Sequence, residues 1–161
     1  MKKKYLITIA IVLGVILLDQ CSKLYIDRLF PLHYSIPIVK NFIHMTYVRN
    51  TGAAFGLFAS HGTGFKVFFF VTTSIIAVLI ILFFLKSLKN TETLLTSSLS
   101  LIMGGAIGNL IDRVRLGEVI DFIDLHWYSY HWPAFNVADS AITVGGVFLI
   151  VNTVLRKDMT Q

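Results

Sequence analysis

The chain has 161 residues, of which 55% are hydrophobic and only 14% are charged. Soluble domains carry about 25% charged residues, so this composition excludes an ordinary soluble domain and indicates an integral membrane protein. The formal net charge is +5, but Lys and Arg occur in short groups beside apolar runs, which argues against a nucleic-acid-binding face. Since no stretch rich in Pro, Gly or Ser divides the chain, we expect one domain over residues 1–161.

The first apolar segment follows three lysines and predicts a transmembrane helix over residues 5–26. A cleaved signal sequence would end in small residues, whereas Leu18-Asp19-Gln20 precede Cys21. A helix of about 20 residues spans the roughly 30 Å hydrocarbon core.

A polar stripe marks the far end of this helix, where Asp19, Gln20, Lys23 and Asp27 follow helical spacing. One interpretation is an i,i+4 pair between Asp19 and Lys23, with Lys23 reaching to the membrane interface. The other is that Asp19 braces a functional site, because a carboxylate inside an apolar run is costly. The sequence favours neither.

The segment 28–64 is less hydrophobic, and Pro31 and Pro37 interrupt any helix. Alternating residues over 43–48 predict a short strand, so we expect a small sheet or hairpin outside the membrane. The following run 50–56, Asn-Thr-Gly-Ala-Ala-Phe-Gly, is either a simple turn or a loop whose small residues let the backbone approach a ligand.

Two further apolar segments predict membrane spans over residues 65–85 and 94–113. In the third span, the four-residue spacing of Gly104 and Gly108 permits close helix packing. Its end carries Asn109 one turn before Asp112 and Arg113. Asp112 and Arg113 could form a surface pair. The presence of three polar groups at the same end as Asp19 and Asp139 instead favours a shared polar patch.

The fourth span is predicted over residues 137–155, with Asn136 as its N-cap. Asp121, Asp124 and Asp139 lie where the chain would pass from headgroups to hydrocarbon, at a depth where a carboxylate is costly unless it is paired or used. Asp139 gains only about 0.3–1 kcal/mol from the helix dipole, which does not offset that cost. We therefore expect two of these carboxylates to form a catalytic pair.

Cysteine and histidine give weaker signals. The single cysteine, Cys21, cannot form an internal disulfide, and its helix carries no histidine to activate a thiol, so we interpret it as a small apolar helix residue. No Cys/His spacing typical of a metal site is present, and we expect the five histidines to be isolated at the interface. These are His33, His44, His61, His126 and His131.

Basic residues predict the orientation of the four spans. Those at the N-terminus, in the connector between the second and third spans and at the C-terminus all fall on one side, which places both termini in the cytoplasm. The polar patch then lies at the extracytoplasmic face. The basic residues are Lys2, Lys3, Lys4, Lys86, Lys89, Arg156 and Lys157.

Five motifs occur in the order Asp-Gln-Cys-Ser-Lys (19–23), Asn-Thr-Gly-Ala-Ala-Phe-Gly (50–56), Gly-Asn-Leu-Ile-Asp-Arg (108–113), Val-Ile-Asp-Phe (119–122) and Phe-Asn-Val-Ala-Asp-Ser (135–140). Together they resemble the bacterial lipoprotein signal peptidases, across most of the chain. The resemblance implies a four-helix aspartyl peptidase of the bacterial cytoplasmic membrane. Such an enzyme needs no cofactor or metal and cuts prolipoproteins before a cysteine that carries diacylglyceryl.

The same resemblance assigns roles to individual residues. The catalytic aspartates of the family fall on Asp121 and Asp139, and Asp124 is taken as a solvated neighbour. The supporting and substrate-binding residues fall on Asp19, Lys23, Asn50, Gly52, Asn109, Arg113 and Asn136. The expected partners are prolipoproteins and membrane lipids, without nucleic acid, and we expect a monomer.

Two other classes of function compete with this one. A proton-coupled transporter could use the carboxylates as a relay, but transport favours acidic groups near the midplane rather than at one face. A noncatalytic membrane scaffold would leave the polar patch without a role.

Overall fold

The computed structural model describes residues 2–52 and 62–158, the last four as backbone only. Within these ranges the chain forms four long helices, each long and apolar enough to cross a membrane, which confirms the predicted fold class. They extend beyond the predicted spans by up to three residues at an end. The helices are α1 (Lys3–Leu29), α2 (Thr63–Ser87), α3 (Thr93–Leu116) and α4 (Val137–Asp158).

A small antiparallel sheet lies at one end of the helix bundle. Its strands are ordered β1 (Ser35–Val39), β2 (Ile43–Asn50), β3 (Val119–Trp127) and β4 (Tyr130–His131). The first two strands follow α1 and the last two join α3 to α4, so the sheet lies opposite the connector between α2 and α3. The predicted strand over 43–48 is β2, whereas β3 was not predicted.

A hydrophobic cluster fastens the sheet to the bundle. Ile26 near the end of α1 packs with Tyr47 of β2 and with Ile120 and Phe122 of β3, and all four are buried. Side chains alternate along a strand, so this cluster occupies one face of β3 and leaves Asp121 on the other. This packing therefore fixes the position of Asp121 relative to the helices.

Helix α3 lies at the centre of the bundle and packs against each of the other three helices. The close approach to α1 depends on the predicted glycine pair. A Cβ on Gly104 would lie 2.9 Å from the Val15 Cβ, and one on Gly108 would lie 2.7 Å from Oδ2 of Asp19. These two positions confirm that the glycine spacing serves helix packing.

The other helices present large apolar side chains outward, as expected of surfaces that face lipid. Leu17 of α1, Phe83 of α2 and Ile150 of α4 are each more than 60% exposed. At the end opposite the sheet, the Nζ of Lys4 donates to three carbonyl oxygens at the end of α2, at 2.6–2.8 Å. This contact places the N-terminus beside the connector between α2 and α3.

Candidate active site

Asn136 lies at the centre of the candidate site and joins two carboxylates. Its Nδ2 donates to Oδ1 of Asp121 at 2.8 Å. Its Oδ1 accepts the backbone N–H of Asp139 at 2.9 Å, and the Asp139 carboxylate accepts the backbone N–H of Asn136 at 3.3 Å. This reciprocal pair is a capping box at the start of α4, so the predicted N-cap is present and the cap itself positions both aspartates.

Asp121 is held on β3 with 2% of its surface exposed. Its second oxygen accepts a hydrogen bond from Nδ2 of Asn50 at 2.9 Å. The pKa of Asp121 is raised to about 7, first by burial and then by the charge of Asp139, against the opposing hydrogen bonds from Asn50 and Asn136. This carboxyl can therefore hold a proton near neutral pH.

Asp139, in the first turn of α4, is more accessible. Its Oδ1 accepts a hydrogen bond from Nδ2 of Asn109 at 2.7 Å. It also lines a cavity of about 420 Å³ whose other walls are mainly apolar. The cavity is lined by Leu125, Trp132, Phe135, Asp139, Ser140, Thr143 and Val144.

Lys23 forms a buried charge cluster beneath the two aspartates. Its Nζ lies 2.8 Å from Asp19, 3.0 Å from Asp112 and 2.9 Å from Oδ1 of Asn109. Lys23 and Asp112 are each 1% exposed and Asp19 is 0% exposed. All three ammonium protons have acceptors, so Lys23 does not reach the interface; it orients Asn109, which in turn holds Asp139.

The two acidic members of this cluster also hold backbone. Oδ1 of Asp19 accepts the N–H of Ala138 at 2.9 Å and so satisfies a free amide at the start of α4. Oδ2 of Asp112 accepts the N–H of Ile120 at 3.2 Å, next to Asp121. The cluster therefore fixes both the helix and the strand that carry the aspartates.

Two of these contacts could not be assigned from the sequence. Asp112 is buried against Lys23, which favours the shared polar patch over a surface pair with Arg113. Gln20, which received no role, donates to Asp112 at 3.0 Å and to the carbonyl oxygen of Gly108 at 3.2 Å. The spacing of Gln20 from Asp19 and Lys23 marks the shared stripe on α1, but it does not show which neighbouring helix the stripe meets.

Asn50 and Gly52 form a turn beside Asp121. The N–H of Gly52 donates to Oδ1 of Asn50 at 2.9 Å, which leaves the Asn50 amide group for Asp121. Gly52 has φ +108°, and a Cβ there would meet the ring of Phe70, so glycine is required at this position. The rest of the predicted motif, residues 53–56, lies outside the described residues, as does His61.

Arg113 lies near the same end of α3. Its guanidinium carbon is 5.2 Å from the centre of the Phe70 ring, a cation–π distance. Among the described residues, its buried Nε has no hydrogen-bond partner. Arg113 thus lies at the edge of the site, and among the described residues it makes no direct hydrogen bond to Asp121 or Asp139.

The expectation for the histidines is wrong for three of them. His44, His126 and His131 come together around Asp124, because strand pairing places residues from distant parts of the chain side by side. Asp124 is only 14% exposed and contacts His131, so it is not a freely solvated residue.

Cys21 is exposed on α1.

These features define a class: a multi-pass membrane protein whose candidate active site is a pair of carboxylates, joined by asparagine side chains, at the sheet end of a four-helix bundle. The comparisons with known proteins identify the family within that class. Residues 11–155 match the family model described as Signal peptidase (SPase) II. The chain belongs to this signal peptidase II family.

Similar proteins match most of the chain. A lipoprotein signal peptidase of Geobacter sulfurreducens is 48% identical over 98% of this chain and 97% of its own length. Another, of Syntrophotalea carbinolica, is 51% identical over 85% of this chain and 84% of its own. A bacterial membrane enzyme structure determined by the in meso method at 2.3 Å resolution has a TM-score of 0.84 and 32% identity, covering 96% of this chain and 91% of the other.

Proposed function

We propose that this protein is an aspartyl peptidase of the bacterial cytoplasmic membrane that removes signal peptides from diacylglyceryl-modified prolipoproteins. Membership of the signal peptidase II family supports the general function, that of a membrane peptidase acting on lipoprotein signal peptides. The catalytic type rests chiefly on one observation, the joining of Asp121 and Asp139 through Asn136 beside an open cavity.

In this proposal the two aspartates have different protonation states. Asp121 is buried, and its raised pKa favours the protonated form, which donates a hydrogen bond to the peptide carbonyl. Asp139 is the general base of the pair and takes a proton from the attacking water. The protonated carboxyl then supports the oxyanion as the tetrahedral intermediate forms.

Asn109 and Asn136 would keep this difference in place. Asn109 donates to Asp139, and its own oxygen is fixed by Lys23 and by Asn136. Asparagine side chains do not gain or lose protons during the reaction, so they keep the two carboxylates in fixed positions while a proton moves between water and substrate. The buried charge cluster is proposed to position these groups without contacting substrate.

The proposed substrate fits the surroundings of Asp139. The cavity beside this residue is mainly apolar, and its helical wall, Ser140 to Val144, belongs to a membrane helix. An apolar signal segment and acyl chains can remain in lipid while the scissile bond reaches the carboxylates. Trp132 and Phe135 would close the opposite wall of the cavity.

The proposed orientation places the sheet end outside and both termini in the cytoplasm. Lys4 already contacts the end of α2, so the N-terminal lysines and the connector's Lys86 and Lys89 lie at one end. The sheet end also carries basic residues, and two of them are paired: Lys23 with buried acids and Arg49 with Asp27. Reporter fusions after residues 4, 90 and 158 should read cytoplasmic and those near 62 and 129 external; an external signal at residue 90 would overturn this orientation.

The competing transporter function receives no specific support. Between Lys66 and Lys86 the second helix carries no charged residue, and the carboxylates of the site gather at the sheet end of the bundle. A relay across the membrane needs ionisable groups at several depths.

The direct test supplies purified protein with two versions of one precursor, with and without the diacylglyceryl group on its cysteine. We expect release of the signal peptide from the modified precursor, with cleavage before the lipidated cysteine, and far slower release from the unmodified one. Equal cleavage of both would contradict the proposed substrate, and cleavage of neither by folded protein would contradict the activity.

A further inference from the structure

Four side chains form a second polar site on the sheet, which we call the histidine cluster: His44, Asp124, His126 and His131. His44 of β2 is the cross-strand partner of Asp124 of β3, and His131 of β4 is the partner of His126. Asp124 and His126 are two residues apart, so they project from the same face of β3, opposite to Asp121. The cluster is therefore separate from the candidate active site.

The cluster has the donor set of a metal site. His44, Asp124 and His126 each offer a ligand atom, and these atoms all lie within 4.8 Å of one another. Ligands bound at 2.0–2.2 Å around a tetrahedral ion are about 3.4 Å apart, so side-chain rotations that close the group by roughly an ångström would complete the coordination.

His126 provides an independent observation. It is only 7% exposed, and its buried Nε2 has no hydrogen-bond partner among the described residues. Its Nδ1 lies 3.0 Å from the carbonyl oxygen of Tyr128, which fixes Nδ1 as the N–H donor. The lone pair of Nε2 is then left unused in a buried position, an arrangement that costs free energy unless Nε2 binds something.

The remaining contacts orient the other two ligands. Nδ1 of His131 contacts both oxygens of Asp124, at 2.9 and 3.0 Å, and its ring stacks on His126 with 4.6 Å between centroids. The ring of His44 packs edge-on against His126 at 4.3 Å. A carboxylate held by a histidine and an imidazole held by a carbonyl are typical outer contacts of metal ligands.

We propose that His44, Asp124 and His126 bind a divalent transition-metal ion of the zinc class, with His131 as a positioning residue. Two imidazoles and one carboxylate suit zinc and its neighbours, whereas Mg²⁺ and Ca²⁺ prefer oxygen ligands only. The bound ion links β2 to β3, the two strands that carry Asn50 and Asp121. Its role is to clamp the sheet, not to take part in peptide hydrolysis.

The test uses the full chain, purified in detergent without a polyhistidine tag and treated with a chelator. Titration with ZnCl₂, followed by calorimetry and by metal analysis after desalting, should show one zinc ion per chain and a higher unfolding temperature. Absence of saturable zinc binding by the folded wild-type protein would overturn the proposal.

Variants locate the site. His44→Ala and His126→Ala should abolish this binding, and His131→Ala should weaken it about 10- to 100-fold. His33→Ala, which removes an exposed histidine from the same end of the protein, is the matched control and should bind zinc like the wild type. Unchanged affinity in both His44→Ala and His126→Ala would exclude the site.

A spectroscopic measurement on the wild type keeps the proposal testable if a variant fails to fold. X-ray absorption at the zinc edge should show nitrogen and oxygen ligands at about 2.0–2.2 Å, with scattering from two imidazoles. A signal from oxygen ligands alone would show surface binding elsewhere and contradict the assignment.

Discussion

Replacing Lys23 by Met tests the buried charge cluster most sharply. The change keeps an unbranched side chain of similar length but removes the only cation that contacts Asp19 and Asp112 within the described residues. Two carboxylates that are at most 1% exposed would then lack their counter-ion. Removing one partner of a buried ion pair costs about 3–5 kcal/mol, because the remaining charge stays desolvated.

The assay is thermal unfolding of wild-type and variant protein in the same detergent. For a chain of this size, 1 kcal/mol shifts the unfolding midpoint by about 2–4 °C, so Lys23→Met should lower it by roughly 6–20 °C. The matched control is Arg49→Met, which breaks an ion pair with Asp27 whose side chains are 29% and 31% exposed. Such a pair contributes about 0–1 kcal/mol.

A second variant separates charge from packing. Adding Asp112→Asn to Lys23→Met removes one of the two stranded charges and should recover part of the lost stability, as a coupling in a double-mutant cycle. If Lys23→Met unfolded at the same temperature as Arg49→Met, the buried cluster would not hold the site together as described.

Three further predictions concern single positions. Gly108→Ala places a Cβ 2.7 Å from Oδ2 of Asp19 and should destabilise the protein by about 1–3 kcal/mol. Gly14→Ala, whose Cβ would meet nothing within 4 Å, should be neutral or slightly stabilising in the same unfolding assay. Equal effects of the two substitutions would refute the close contact. Cys21→Ala should keep nearly full cleavage activity, because the thiol is exposed on α1 and that helix carries no histidine to activate it. Loss of cleavage in folded protein would indicate a thiol enzyme. The pKa of Asp121 is raised from 3.8 to about 7 in the folded protein, so the free energy of unfolding of the wild type should fall as pH rises from about 4 to about 7. Asp121→Asn lacks this titration, so its free energy of unfolding relative to wild type should rise by up to about 4 kcal/mol across that window. Parallel stability curves for the two proteins would contradict the raised pKa.

The membrane helices were predictable because their signal is local. Uncharged runs of about 20 residues specify spans without knowledge of their neighbours. The spacing of Gly104 and Gly108 likewise predicted close packing, although only the structure shows that the partner is α1. Asn136 was predicted as an N-cap, since the signal again lies within one turn of helix.

The contacts between distant segments were not predictable from spacing. Lys23 could equally have reached the interface, because nothing in α1 alone shows that Asn109 and Asp112 cover it. Strand β3 was missed because it is buried over its first half and its hydrophobic residues do not alternate cleanly with polar ones. The assignment of Asp121 and Asp139 as the catalytic pair came from the family resemblance and stays a prediction.

The histidine cluster shows the same limit. His44 and Asp124 are 80 positions apart in the chain, and only the register of β2 on β3 makes them partners. A search for metal-ligand spacing along the sequence cannot detect such a set, because each strand contributes only one or two ligands.

The catalytic pair is tested most directly by turnover of a diacylglyceryl-modified precursor with Asp121→Asn, Asp139→Asn and the double variant. If the two carboxylates share one proton and act as a unit, each single change should lower turnover by at least about 10³-fold, and the double variant should be no worse than either. Glu118→Gln, which changes a part-exposed carboxylate near the start of the same strand, is the control and should cleave normally. Substantial cleavage by folded Asp121→Asn or Asp139→Asn, or losses that multiply in the double variant, would contradict the account.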